Sequence, residues 1–234
     1  MRRPAAFLAV ALATLPAACE RDAADAPPTA AAPAPPAAPH PPGTEPLEPP
    51  SAATDVADWR EIATPEDASR LGRLDQAWRL ARAEAEDKGF AAQVEALGPL
   101  VDPNAGLAGQ LQPGPGTYRC RTVKLGSNAP GGPGYLEYPW FRCTVELTPG
   151  GDLVLTKTTG SQRTRGRLYP DTDRRLVFIG AQAWGADEAG WPTYGQMPER
   201  DQVGVFERVG PRRWRLVIPW PKVESKLELL ELAG

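Results

Sequence analysis

From Thr117 to the C-terminus, hydrophobic and polar residues alternate one by one. Phe141, Cys143, Val145 and Leu147 stand against Arg142, Thr144 and Glu146; Leu176 and Phe178 against Arg175; Trp214, Leu216 and Ile218 against Arg213 and Arg215. A period of two marks strands with one buried face. Eight strands are expected, near residues 117–125, 140–147, 152–159, 162–169, 174–181, 202–209, 213–219 and 225–233. The connections Pro149-Gly150-Gly151, Pro170-Asp171-Thr172-Asp173 and Gly210-Pro211-Arg212 carry tight-turn chemistry. Short turns favour antiparallel neighbours in chain order. Residues 113–234 are therefore expected to form a mainly β domain, a small eight-stranded antiparallel up-and-down barrel (lipocalin-like). A two-sheet sandwich is the alternative.

Upstream the period lengthens. Ala68, Leu71, Leu74, Trp78, Ala81 and Ala85 recur at spacings of three and four, the apolar stripe of a helix. Thr64-Pro65-Glu66-Asp67 supplies its start and Gly89 its stop. Glu66/Arg70, Asp75/Arg79 and Glu84/Lys88 are spaced to pair on its exposed side. A short turn near Val56 to Trp59 precedes this helix, and a shorter helix, Phe90 to Leu97, follows. Residues 54–112 thus read as a helical preface packed on the barrel, with Trp78 in the core.

Residues 19–53 are rich in Ala and Pro and lack the apolar bulk to fold, so they read as a disordered tether. Residues 1–18 read as a signal peptide, with Arg2 and Arg3 followed by the apolar stretch Ala5 to Leu15. Leu15-Pro16-Ala17-Ala18-Cys19 resembles a bacterial lipobox, departing from it at Pro16. Cys19 is the expected lipidation site; a plain secretory cut at Ala18 is the alternative. Either outcome exports the chain to the periplasmic face of the envelope. Glu20 after the cysteine leans toward an outer-membrane lipoprotein, whose first partner is the membrane itself.

Composition narrows the chemistry. The 234 residues include 28 prolines, and the net charge of -3 is unevenly spread. Residues 51–112 are acidic on balance and residues 113–234 basic, which fits docking of one part on the other. The single histidine, His40, lies in the tether. A Ser-His-Asp or Cys-His arrangement and most zinc hydrolysis are thereby excluded from the folded part. No phosphate-cradling or dinucleotide motif appears. No enzyme activity, cofactor or metal is expected, and the monomer is the expected state. Nucleic acid does not suit an exported protein whose arginines are not interleaved with aromatics. With Cys19 set aside, Cys120 and Cys143 form the expected disulfide, worth about 3 kcal/mol by loop closure; two free buried thiols are the alternative.

In an up-and-down barrel, connections alternate between the two ends. The three tight turns share one end. The other end collects the long aromatic connections with Gly160-Ser161 and Trp220 to Glu224. The candidate ligand rim is therefore Tyr135, Tyr138, Trp140, Lys157, Gln162, Arg163, Trp184, Trp191, Tyr194 and Glu224. The opposing reading is that these side chains plug the mouth or seat the helices. Lys157 continues the Leu153/Leu155 face and, if inward, needs an acid such as Glu207. Arg163, Arg165 and Arg167, with Arg213 and Arg215, read as a solvated outer face or as a contact for anionic glycolipid or polymer.

Several short runs together resemble one family. They are Lys157-Thr158-Thr159-Gly160-Ser161-Gln162-Arg163, Gly166-Arg167-Leu168, Tyr194-Gly195, Arg200-Asp201, Glu207-Arg208 and Arg213-Trp214-Arg215-Leu216. Tyr118-Arg119-Cys120-Arg121, Glu224-Ser225-Lys226-Leu227 and Asp58-Trp59-Arg60 complete the set. The resemblance is to the bacterial domain of unknown function 4893, over about Asp55 to Leu232, and it implies no catalytic residues. More loosely, a tethered barrel is similar to lipocalin-like envelope proteins, including lipoprotein protease inhibitors. Three roles follow as expectations: a module binding envelope lipid, glycan or protein, a structural or interaction module with a filled barrel, or a protease inhibitor using Ser127 to Gly134.

Overall fold

The computed structural model describes residues 57–234. The expected signal peptide and tether, with Cys19 and His40, lie outside the described residues. The strands are β1 (Gly116–Leu125), β2 (Tyr135–Glu137), β3 (Phe141–Leu147), β4 (Leu153–Lys157), β5 (Arg163–Pro170), β6 (Leu176–Ala183), β7 (Asp201–Gly210), β8 (Arg213–Pro219) and β9 (Leu227–Ala233). From β3 to β9 each strand pairs with the next, and β1 pairs with both β3 and β9. The result is a closed, eight-stranded antiparallel barrel carrying β2 as an extra short strand. Pairing of β1 with β9 joins the two ends of the eight-stranded sheet, so the short β2 alone keeps a free edge among the described residues, and the sandwich is ruled out.

Period-two alternation divides every strand between lumen and outer wall. Cys120, Val145, Leu155, Phe178, Phe206, Leu216, Ile218 and Leu230 pack together inside. Strong curvature is needed to close so small a barrel, and glycines on β5, β6 and β7 permit it. Gly166 and Gly180 are register partners. A Cβ on Gly180 would lie 2.1 Å from the Arg165 carbonyl oxygen, and one on Gly166 would lie 2.6 Å from the Phe178 ring. Phe178 thus occupies the space Gly166 leaves, and the barrel is filled at mid-height.

The expected strand near 140–147 is β3, and a further short strand that was not expected, β2, precedes it along the same side of β1. Cys120 faces Phe141, whereas Val123 faces Glu137. Three steps along β1 therefore match four on its partner, a bulge at Tyr138-Pro139-Trp140. Pro139 has no N–H to give the ladder, so the interruption falls there. Cys120 and Cys143 form the disulfide, with Cα atoms 5.9 Å apart.

The preface forms α1 (Trp59–Ile62), α2 (Pro65–Gly72), α3 (Leu74–Ala85) and α4 (Ala91–Ala96). Thr64 caps α2 as expected, accepting from the Asp67 amide. The single long helix expected up to Gly89 is instead broken at Arg73, whose carbonyl accepts a hydrogen bond from Trp220 Nε1 at 3.2 Å. Trp78, Ala81 and Ala85 pack on the outer wall over Val123, Val217 and Leu229. Trp59 covers Val177, Ile179 and Val203 in a second patch. Of the expected helix pairs only Glu84–Lys88 forms, at 2.6 Å; Glu66 reaches Lys222 instead and Arg70 pairs with Asp67. No Asp75–Arg79 ion pair forms among the described residues.

Docking of the preface uses charge as well as apolar surface. Glu84 pairs with Lys226 across the interface. Burial works against its charge, but hydrogen bonds from Lys226, Lys88 and the Ser127 amide hold its carboxyl down at about 2. Arg215 was expected on a solvated face; it is fully buried. Its guanidinium pairs with Glu207 at 2.7 Å and donates to the carbonyls of Pro99, Leu100 and Asp102. A charge so buried survives because every side of it is engaged.

Candidate functional site: the polar barrel mouth

Toward the end opposite the tight turns, the lumen changes from apolar to polar. Lys124, Lys157, Thr164, Gln182, Gln202 and Glu228 are all buried there. Strand periodicity puts them inside. Lys124 follows Cys120 at twice the period on β1, Glu228 precedes Leu230 on β9, and Lys157 follows Leu155 on β4.

Two ammonium groups in so dry a place demand partners. Lys124 Nζ donates to Gln162 Oε1 at 2.6 Å and to the Glu224 carboxylate, and stands 3.6 Å from Glu228. Gln162 Nε2 in turn donates to Glu224 Oε1 at 2.9 Å. Burial pulls the Lys124 amine down, but Glu228 and Glu224 outweigh it and the amine is held above its usual range. Lys157 has a poorer setting. It donates to the Gln162 carbonyl at 2.8 Å and lies 4.1 Å from the centre of the Phe141 ring. Burial lowers it to about 8, with Glu228 offsetting only part and Lys124 adding repulsion. The acid expected for Lys157 is absent from its side: Glu207 faces outward and holds Arg215.

The β8–β9 turn closes over this cluster. Among the described residues, Trp220 (φ 50°) and Glu224 (φ 70°) are the non-glycine positions with positive φ. Such conformations are strained for ordinary side chains and persist where surrounding contacts impose them. Here Glu224 is held by its carboxylate on Lys124 and by its carbonyl, which accepts from the Asn128 amide at 2.9 Å. Trp220 is latched to Arg73, and Lys222 to Glu66 at 2.8 Å. The preface therefore holds the turn as well as the wall.

Between this turn, β2 and the loop before it lies a cleft of about 250 Å³. Lys124, Ser127, Leu136, Tyr138, Glu224 and Ser225 line it. Ser225 is only 1% exposed, and its hydroxyl has no hydrogen-bond partner among the described residues. Buried hydroxyls are normally satisfied, so this one is an unspent donor and acceptor in a residue that lines the cleft.

The candidate rim divides. Tyr138, Lys157, Gln162 and Glu224 gather as expected, and Trp184 stands at the mouth beside Gln182, Gln202 and Glu228. The other five belong to the outer wall. Tyr135 stacks on Phe90 at 5.5 Å. Trp140 lies against Arg119 and Arg121. Arg163 donates to the Gly185 carbonyl at 3.0 Å and stacks on Trp191. Tyr194 donates to Asp67 and accepts from the Thr64 amide, seating α2. Parity explains the split, because Arg163 shares the face of Arg165 and Arg167, which points away from the lumen. Lys124, Thr164, Gln182, Gln202 and Glu228 were missed, although each continues a period-two face whose apolar members are in the core.

Residues 59–232 match the family model described as a domain of unknown function, DUF4893. The chain belongs to that family. Neither a curated protein nor a solved structure matches it. The runs that carried the resemblance serve two ends in this family member. Lys157, Gln162 and Glu224-Ser225 build the mouth. Asp58-Trp59-Arg60, Tyr194 and Arg215 seat the preface: Trp59 Nε1 and Arg60 both donate to Asp171, at 2.9 and 3.0 Å.

Proposed function

We propose that this protein is an exported, lipid-anchored binding module of the cell envelope, and that its barrel mouth takes a small polar solute. One observation carries the reading: a cleft in which Lys124, Tyr138 and Glu224 converge with a buried, unpartnered Ser225 hydroxyl. Aromatic and aliphatic walls with a few fixed polar groups are the usual make-up of a small-molecule site. Lys124 and Glu224 neutralise each other, so the fitting solute is neutral overall and hydrogen-bonding. The filled lumen directs it to the cleft, not to the barrel centre. Export rests on the leader-like N-terminus and anchoring on Cys19. No catalytic role is proposed, since the one histidine, His40, lies in the Ala/Pro-rich stretch ahead of the family domain.

A second reading is a protein-interaction module, favoured by Phe178 and Phe206 filling the lumen where a lipocalin-type ligand would sit. Mass spectrometry of material co-purified from native envelope separates the two. A small solute retained by the wild type and lost from Ser225→Val supports the mouth site. A stoichiometric protein partner with no solute supports the second reading. Material retained equally by both forms sinks the mouth site. Cys19→Ala is expected to move the protein from the membrane to the soluble fraction.

A further inference from the structure

The outer wall carries a second feature, independent of the mouth. Arg119 on β1 and Arg142 on β3 are direct register partners. Like charges opposite one another on adjacent strands destabilise a sheet. Elsewhere on the wall arginines have acids: Arg121 pairs with Glu137 and Glu231, Arg165 with Glu146, and Arg167 with Asp152. Arg119 and Arg142 have no carboxylate within ion-pairing reach among the described residues. Beside them the bulge at Pro139 turns Trp140 outward, 41% exposed, with its ring centre 4.9 Å from the Arg119 guanidinium. Thr159 completes the edge, its hydroxyl accepting from the Arg142 amide at 2.9 Å. These residues enclose a surface cleft of about 460 Å³.

We infer that this cleft binds an anionic sugar. Two arginines at paired register positions lining one cleft match a carboxylate or phosphate substituent, which each can grip with two hydrogen bonds. The exposed indole offers a flat apolar face to the carbon–hydrogen face of a pyranose ring, and Thr159 offers a hydroxyl to its rim. An anion between the arginines also removes their mutual repulsion, so the cost of the pair becomes affinity once the ligand arrives. The sugar can come from a free glycan or from a glycolipid headgroup.

Titration calorimetry with glucuronate tests this, with glucose and acetate as the two halves of the ligand. Glucuronate is expected to bind more tightly than either half and to weaken as salt rises. Arg142→Gln and Trp140→Ala are each expected to weaken it about tenfold or more. Arg142→Gln should at the same time leave the thermal midpoint unchanged or raise it, because it relieves a like-charge pair. A fall in that midpoint makes the arginine pair structural and overturns the site. Phosphatidylcholine vesicles with and without a glucuronosyl diacylglycerol separate the sources: binding only to the glycolipid vesicles assigns a headgroup, and binding to free glucuronate a soluble glycan. No preference for the anionic sugar in either form, or equal binding by the wild type and Arg142→Gln, overturns the proposal.

Discussion

The two halves of the barrel lumen are built from the same strands and obey opposite rules. Near the tight turns, Leu153, Leu168, Leu176, Phe206 and Trp214 pack together with at most 7% of any of them exposed. Near the mouth, Lys124, Lys157, Gln182, Gln202 and Glu228 occupy equivalent inward positions. Apolar side chains there would be more stabilising, since each buried ion carries a desolvation cost that its partners only offset. The lower half makes the fold stable; the upper half surrenders stability to keep charge and hydrogen-bonding groups in a fixed arrangement. The disulfide marks the border, Cys143 being the register partner of Lys157.

This contrast can be tested at both ends. Phe178→Ala in the dry half opens a cavity at a fully buried site and is expected to cost about 3–5 kcal/mol in denaturant unfolding. A loss under 1 kcal/mol would mean that the lumen collapses freely and that mid-height packing does not support the barrel. At the border, replacing Cys120 and Cys143 together by Ala is expected to cost about 3 kcal/mol, from the 23-residue separation the bond spans.

In the wet half the sign reverses. Lys157→Met is expected to stabilise the protein by about 1–3 kcal/mol at neutral pH. The folded amine, at about 8, binds a proton less readily than its ordinary value of 10.5 in the unfolded chain. Wild-type stability should therefore rise between about pH 8 and 10.5, and that rise should disappear in the variant. Equal slopes in the two proteins would show that Lys157 is not strained by burial. The smallest effect belongs to the exposed edge. Burial of Glu224 opposes its charge, but Lys124 and Gln162 hold its carboxyl below the usual range. Its contribution is thus present above the ordinary carboxylate range and lost as the solution is acidified. With its side chain 46% exposed, Glu224→Gln is expected to cost under about 1 kcal/mol. A larger loss would extend the structural role of the lower half up to the rim.

Much of the arrangement is legible in the chain. Turn chemistry at Pro149 to Gly151 and Gly210 to Arg212 is local, and it delivers antiparallel neighbours in order. From that order alone, the β4–β5 hairpin and the β8–β9 turn must share an end, which brings Gln162 and Glu224 together. Arg163 could also have been kept off the rim, since its alternation with Thr164 and Gly166 puts it on the face of Arg165. Trp140 could not. Its direction depends on a one-residue bulge opposite β1, and the extra residue shows only when two strands are paired. Nor could Arg215, which alternates like a surface residue yet is covered by a loop more than a hundred positions earlier.

The residues by themselves determined the period, the turns, the disulfide partners and therefore an eight-stranded barrel behind a helical preface. Each of these follows from neighbours close in sequence or from counting strands. Tertiary structure alone decided which charges are buried, where the bulge aims its indole, and how a strained turn is latched by a helix. Those outcomes depend on contacts between distant segments, where the cost of desolvating a group is weighed against partners that only the folded chain brings within reach.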